Sequence, residues 1–243
     1  RPDTEILTVT VDDGTQTAML THHGWLTGFK SSHIAITPDG STIYGIDNSS
    51  PNGHMCAYDV ATQTTTPLGF VQGGIVQLAF APDGTLYAAG GSSIYSIDLT
   101  TNPPTPTNLG RMYIDTGGYI RISGADLVFR NDGYAYVMTP GALYQVDVSS
   151  LPTTDPTATA VGTYGTFTGL AARFDGTGGL MASYSTQTVG KYEIIDTDDW
   201  SSDTYLMLDE YGDTYSHYWG DMTSLPAPLC LPYETDLILG QHY

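Results

Sequence analysis

The sequence predicts an all-β ring of repeated antiparallel units, and three observations carry that reading. One phrase returns four times along the chain. Within it apolar residues alternate with polar ones over short runs rich in Val, Ile, Tyr and Thr, and no stretch sustains a helical period. The two chain ends resemble complementary halves of one further unit.

Taken in order, Ile6–Val11 and Thr17–Thr21 resemble the third and fourth strands of a unit that lacks its first two. The first full phrase is Ile34-Ala-Ile-Thr-Pro-Asp-Gly-Ser-Thr-Ile-Tyr44, leading to Tyr58-Asp59. The second is Leu78-Ala-Phe-Ala-Pro-Asp-Gly-Thr-Leu-Tyr87, leading to Ile97-Asp98. The third is Leu127-Val-Phe-Arg-Asn-Asp-Gly-Tyr-Ala-Tyr136, leading to Val146-Asp147, and the fourth Leu170-Ala-Ala-Arg-Phe-Asp-Gly176, with Tyr192 and Asp196. Their turn glycines Gly40, Gly84, Gly133 and Gly176 lie 44, 49 and 43 residues apart, near the period of a four-stranded propeller blade. In Pro-Asp-Gly, Pro presets φ, Asp bonds its own backbone and Gly accepts a positive φ, so each such turn is read as a hairpin joining first and second strands. Tyr218-Trp-Gly-Asp-Met-Thr223 resembles a first strand without such a turn.

The expected architecture is a single five-bladed β-propeller spanning residues 1–243, closed by pairing N-terminal outer strands with C-terminal inner strands. The blades are placed at about 31–72, 75–110, 124–163 and 167–210, with a closing blade from 215–243 plus 3–23. Such closure leaves only short, protected edges.

A formal net charge of −19, from 26 acidic against seven basic residues, argues against a nucleic-acid partner. With 40% apolar and 14% charged residues the chain is not a disordered acidic one, and it contains no run of 18 apolar residues. Membrane insertion is therefore not expected. The first residue is Arg1 rather than Met, which is expected of a processed, exported protein or of a trimmed chain. Cys56 and Cys230 are the two cysteines, a candidate disulfide between neighbouring blades in an oxidising compartment.

Propellers commonly keep their chemistry where first strands line the central channel. Alignment on the Asp-Gly turns puts His33, Gln77, Asp126 and Gly169 at one level, and matching Trp219-Gly-Asp221-Met to Ser123-Gly-Ala-Asp126-Leu adds Asp221. His33, Gln77, Asp126 and Asp221, with Tyr218 and Trp219 beside them, form the candidate ligand site. His33, Asp126 and Asp221 are also the candidate ligands of Ca²⁺ or another divalent cation. Equally, these groups can be satisfied polar caps of the channel.

Other leads are local. His22 and His23 are consecutive strand residues that face opposite ways; His54-Met55-Cys56 is a soft-ligand trio suited to copper; His217 reads as a rim residue. Asp196, Asp198, Asp199 and Asp203, and separately Asp209, Glu210 and Asp213, are acidic groups for solvent or calcium without EF-hand spacing. Asn48-Ser-Ser is a formal glycosylation sequon. Tyr44, Tyr87 and Tyr136 are expected to pack between blades with hydroxyls at the surface. Trp25, Tyr113, Tyr119, Tyr164, Tyr218 and Trp219 are aromatic candidates for sugar contact.

Hydrolase signatures are absent: no GxSxG elbow, HExxH, P-loop or Gly-rich dinucleotide fingerprint occurs. Asp126 and Asp221 are the only glycosidase-like carboxylate pair in the expected ring, and none of the four Glu residues falls there.

Through Leu78–Tyr87, Ile94–Asp98, Gly124–Gly133 and Gly220-Asp-Met, the chain resembles secreted bacterial propeller repeats of the type GDLAF…PDG-xLY…LY-xID…TG. More distantly it is similar to NHL and SMP-30-type propellers. The resemblance implies a fold far more than a function. SMP-30-type lactonases place a metal-binding Glu on an inner strand, whereas His33, Gln77, Asp126, Gly169 and Asp221 stand there in this chain. The expected function is a noncatalytic extracellular or periplasmic module for binding, adhesion or surface assembly. It would meet a protein or glycan at a cell surface, or subunits of a larger assembly, at one rim of the channel. The alternative is a metal-dependent hydrolase or lyase centred in that channel.

Overall fold

Each repeated phrase folds into an antiparallel sheet, because a period-two pattern gives every strand a face to bury against the next sheet. The computed structural model describes residues 4–47, 53–72, 74–122, 126–130, 132, 134–149, 155–164, 169–172, 179–185, 190–215, 222–223 and 236–240. Among the described residues every regular element is a β-strand.

β1 (Thr4–Asp12) and β2 (Thr17–Leu26) come first. β3 (Ser31–Ile36), β4 (Thr42–Asp47), β5 (His54–Asp59) and β6 (Thr64–Phe70) make one four-stranded sheet in chain order. β7 (Gln77–Phe80), β8 (Leu86–Gly90), β9 (Ser93–Asp98) and β10 (Thr105–Arg111) make the second. β11 (Tyr113–Ile114) lies on the outer edge of a sheet completed by β12 (Asp126–Phe129), β13 (Tyr134–Thr139), β14 (Ala142–Asp147) and β15 (Thr157–Gly162). The remaining strands are β16 (Gly169–Ala172), β17 (Leu180–Ser185), β18 (Gly190–Ile195), β19 (Ser202–Leu208), β20 (Met222–Thr223) and β21 (Asp236–Gly240). With β1 and β2 they form an eight-stranded sheet in the order β16-β17-β18-β19-β2-β1-β21-β20. The chain is all-β, and its four sheets pack in a propeller-like arrangement.

The turn chemistry explains the repeated phrase. In Thr37-Pro-Asp-Gly40 the Gly40 amide donates to the Thr37 carbonyl at 2.9 Å, and Gly40 has φ 72°, in the left-handed region that favours glycine. Asp39 Oδ1 accepts from Thr37 Oγ1, Ser41 N and Ser41 Oγ at 2.6, 3.0 and 2.8 Å. The turn at Ala81–Gly84 repeats the backbone bond at 2.9 Å, whereas Asp175-Gly176 lies outside the described residues. The Asp that ends each third strand has a local duty as well. Asp59, Asp98 and Asp147 each accept a backbone amide and a hydroxyl from Thr62, Thr100 and Ser149, closing the hairpin to the outer strand.

Packing between sheets supplies the core. Among the described residues, buried apolar side chains gather in five clusters. Ala35, Ile46 and Met55 of the first sheet meet Leu78, Phe80 and Leu86 of the second; Ala89 and Ile94 meet Leu127 and Val137 of the third. Tyr136 and Leu143 meet Leu170 and Leu180; Leu7 and Leu20 meet Met181 and Tyr192; Ile6 and Leu26 meet Ile34 and Ile43. Burying one such Leu or Ile stabilises the fold by about 1.5–3 kcal/mol. The second-strand tyrosines pack across these seams as expected, with Tyr44 on Phe80, Tyr87 on Phe129 and Tyr136 on Trp200 at ring separations of 5.7, 4.8 and 6.2 Å. One detail is corrected: Tyr136 is buried, and its hydroxyl donates to Asp132 Oδ2 at 2.8 Å rather than reaching solvent.

The chain ends meet in one sheet, with β1 antiparallel to β21 from Glu5 opposite Gly240 to Val9 opposite Asp236. Two pairings lie outside the repeat. Outer strand β19 runs parallel to outer strand β2, and β11 runs parallel to β15. Both cover exposed sheet edges, which otherwise invite pairing with another chain.

Candidate functional site at the inner-strand mouth

Inner strands β7 and β12 are buried on both faces, so a polar residue there needs a reason to be present. β7 touches β3 on one side and β12 on the other; β12 touches β16, and β20 touches both β16 and β3. Gln77 and Asp126 open their strands, while His33 lies within β3 just after a bulge. Ser31 makes that bulge by donating its Oγ to the carbonyls of His33 and Ile46 at 2.8 and 3.0 Å.

Burial holds the His33 imidazole down to about 3, so it is neutral at physiological pH; the adjacent Gln77 amide acts weakly in the opposite direction. Among the described residues, Nδ1 of His33 and both Nε2 and Oε1 of Gln77, which has no exposed surface, have no partner of ordinary geometry. A buried amide in that state is unfavourable by about 1–3 kcal/mol. Asp126, 1% exposed, differs: Oδ1 accepts from Leu127 N at 2.7 Å and Oδ2 from Leu170 N, tying β12 to β16 across the seam. That carboxylate is a cross-sheet staple whatever else it touches.

Tyr218, Trp219, Asp221 and His217 lie outside the described residues, as do Asn48 and Cys230. Among the described residues no group of three His, Cys, Asp or Glu side chains stands ready for a metal ion. Cys56 is buried and has no disulfide partner among the described residues, and burial pushes its thiol up to about 12. The His54-Met55-Cys56 trio does not converge, because Met55 packs with Ile75 and Leu78 while Cys56 packs with Ile6 and Leu26. His22 Nδ1 donates to Glu5 Oε1 at 2.9 Å, whereas His23 meets the Tyr58 ring edge, so the two point apart.

Asp196 and Asp203 line a concavity of about 240 Å³ with Asp13, which accepts the Tyr205 hydroxyl at 2.7 Å. Asp196 and Asp199 are engaged by turn amides of Asp198 and Ser201, and Asp209 by those of Tyr211 and Asp213. These carboxylates organise loops. Repeat alignment missed a second concavity, of about 470 Å³, lined by Gly90, Gly91, Ser92, Ser93, Arg111, Tyr119 and Arg121. Its signal was present as exposed Arg111, Tyr113, Tyr119 and Arg121 alternating with buried Met112, Ile120 and Ile122.

No protein-family model and no curated protein matches the chain. Solved structures do. A structural-genomics protein of unknown function from Bacteroides thetaiotaomicron superposes with a TM-score of 0.59 at 14% identity, covering 91% of this chain and 61% of that one. The nidogen/laminin complex gives 0.54 at 12% identity, covering 91% and 82%. An auxiliary nutrient binding protein from B. thetaiotaomicron gives 0.53 at 10% identity, covering 98% and 76%. The chain spans about half to two thirds of the length of several other solved chains it matches. At these identities the likeness shows the fold alone, a β-propeller-type one.

Proposed function

We propose that the chain is a noncatalytic, exported five-bladed propeller that binds a ligand or partner at the rim where its inner strands begin. The observation that carries this reading is Gln77, a fully buried amide whose two polar atoms find no partner of ordinary geometry among the described residues, beside Nδ1 of His33 in the same state. Buried polar groups are ordinarily satisfied, so such a pair is suited to a ligand's donors and acceptors. Five blades are supported by five seam clusters, by the β20-β21-β1-β2 run and by the contacts of β20 with β16 and β3. Structures of the same fold type include an auxiliary nutrient binding protein and a chain of a nidogen/laminin complex. Binding of an extracellular glycan or protein fits that company, as does a place in a surface assembly.

The test is an array of defined oligosaccharides and matrix proteins, probed with wild type and Gln77→Leu, with bound compounds checked for turnover. Signals lost in the variant while its fold persists support the reading. Conversion of a bound compound to product would favour a channel-centred hydrolase or lyase. A divalent cation held by His33, Asp126 and Asp221 is the competing occupant, and calcium or zinc titration of Asp126→Asn, Asp221→Asn identifies it.

A further inference from the structure

Arg111 and Arg121 are two of only seven basic residues in a chain of net charge −19. Neither guanidinium has a carboxylate within 4 Å among the described residues, although Asp155 Oδ1 accepts the Arg111 backbone amide at 2.8 Å, whereas the Arg130 guanidinium pairs with Asp132 at 3.2 Å. Their placement is imposed by neighbours. Buried Met112, Ile120 and Ile122 anchor the segment inward, so strand alternation turns Arg111, Tyr113, Tyr119 and Arg121 outward. Tyr113 bridges antiparallel to Tyr119, and the Ile120 amide donates to the Met112 carbonyl at 3.1 Å. Continuing this register by two residues sets Arg111 across from Arg121. Like charges directly opposite are destabilising unless something of opposite sign lies between them.

The scaffold around them is rigid. Met112 N donates to Ser92 O at 2.9 Å and Ile122 N to Gly91 O at 2.7 Å, locking the segment onto the β8–β9 turn. The Arg111 guanidinium lies 5.1 Å from the Tyr119 ring centroid, and Tyr113 meets Tyr119 edge-on at 5.1 Å with both rings some 40% exposed. Gly90 has no room for a side chain because Gly74 packs against it, and Gly91 has φ 64°. Bare backbone and serine hydroxyls therefore form the floor. Since Ala89 pairs with Gln77, this turn stands on the face where the inner strands begin.

We propose that Arg111 and Arg121 clasp the carboxylate of an acidic sugar, a hexuronate unit of an extracellular polysaccharide, with Tyr119 and Tyr113 against its ring. A planar guanidinium fork matches a carboxylate, and aromatic plates suit the apolar faces of a pyranose. A concavity of about 470 Å³ suits one or two sugar units. An acidic peptide would dock by adding a strand, but the amides of Met112, Tyr113 and Ile122 are already engaged. The site is independent of the inner-strand mouth.

Calorimetric titration with trigalacturonate and with neutral trigalactose decides the matter. Wild type binds trigalacturonate at least tenfold tighter than trigalactose; Arg111→Ala and Arg121→Ala each weaken it tenfold or more, Tyr119→Ala less, and Gln77→Leu not at all. Affinity falls with added salt. Arg121→Ala does not lower thermal stability, because it removes a repulsive partner, and Arg111→Ala lowers it little, because loss of its contact with the Tyr119 ring offsets the relief. Absence of binding, equal affinity for the neutral sugar, unchanged affinity in both arginine variants, or equal binding of citrate or poly-glutamate would each overturn the assignment.

Discussion

Replacing Gln77 with Met should make the protein more stable and less able to bind. The amide has no exposed surface, and neither of its polar atoms has a partner of ordinary geometry among the described residues. Removing an unpaired buried amide recovers about 1–3 kcal/mol, and Met, unbranched and of similar volume, fills the same space with little strain. Allowing for imperfect repacking, the net gain is about 1–2 kcal/mol. For a chain of this length each kcal/mol moves Tm by about 2–4 °C, so the variant should melt about 2–8 °C higher. Urea unfolding should show a higher midpoint at unchanged slope, which identifies a stability change rather than altered compactness. A loss of 1 kcal/mol or more would refute the reasoning, since it would mean that the amide is held by partners and serves the fold. A gain of stability coupled to loss of ligand is the expected signature of a residue kept for function.

Further expectations follow from other positions. Asp126→Ala leaves the amides of Leu127 and Leu170 unpaired in the interior and should cost about 2–5 kcal/mol by urea titration, with Asp126→Asn costing less; a change under 1 kcal/mol would contradict the staple. His33 has a folded pKa of about 3 against an ordinary 6.5, so its contribution is complete above 6.5 and is lost as pH falls toward 3. Stability should decline across that window by up to about 1.4 kcal/mol per pH unit, and His33→Asn should flatten the slope. Hydrogen bonds lower the carboxyls of Asp39, Asp59, Asp98 and Asp147, whose contribution is complete above the ordinary carboxylate range and lost as pH falls through their depressed values. Tm should therefore fall as pH drops below 4, and Asp59→Asn plus Asp98→Asn should blunt that fall. Cys56 should resist iodoacetamide in the native protein and react once denatured. Labelling within minutes under native conditions would contradict its burial, and denatured Cys56 that labels only after reduction would establish a disulfide.

The repeats were legible because each is a local device. A Pro-Asp-Gly turn, an alternating run and an Asp that closes the next hairpin involve residues a few positions apart, whose chemistry can be read without the rest of the chain. The pairing of β1 with β21 was legible too, since two incomplete units left complementary gaps. Pairings that depend on where separate sheets end in space were not, and the parallel docking of β19 on β2 and of β11 on β15 carries no periodic signal. The same division runs through the sites. Alignment put His33, Gln77 and Asp126 at one level, but only packing revealed that Asp126 holds backbone amides while Gln77 has no partner of ordinary geometry among the described residues. Arg111 and Arg121 are ten residues apart in an irregular stretch, and it took the folding back of 112–122 onto the β8–β9 turn to bring both to the lining of one concavity. Turn chemistry and alternation act along the chain, whereas desolvation and like-charge proximity exist only once distant segments have been brought together.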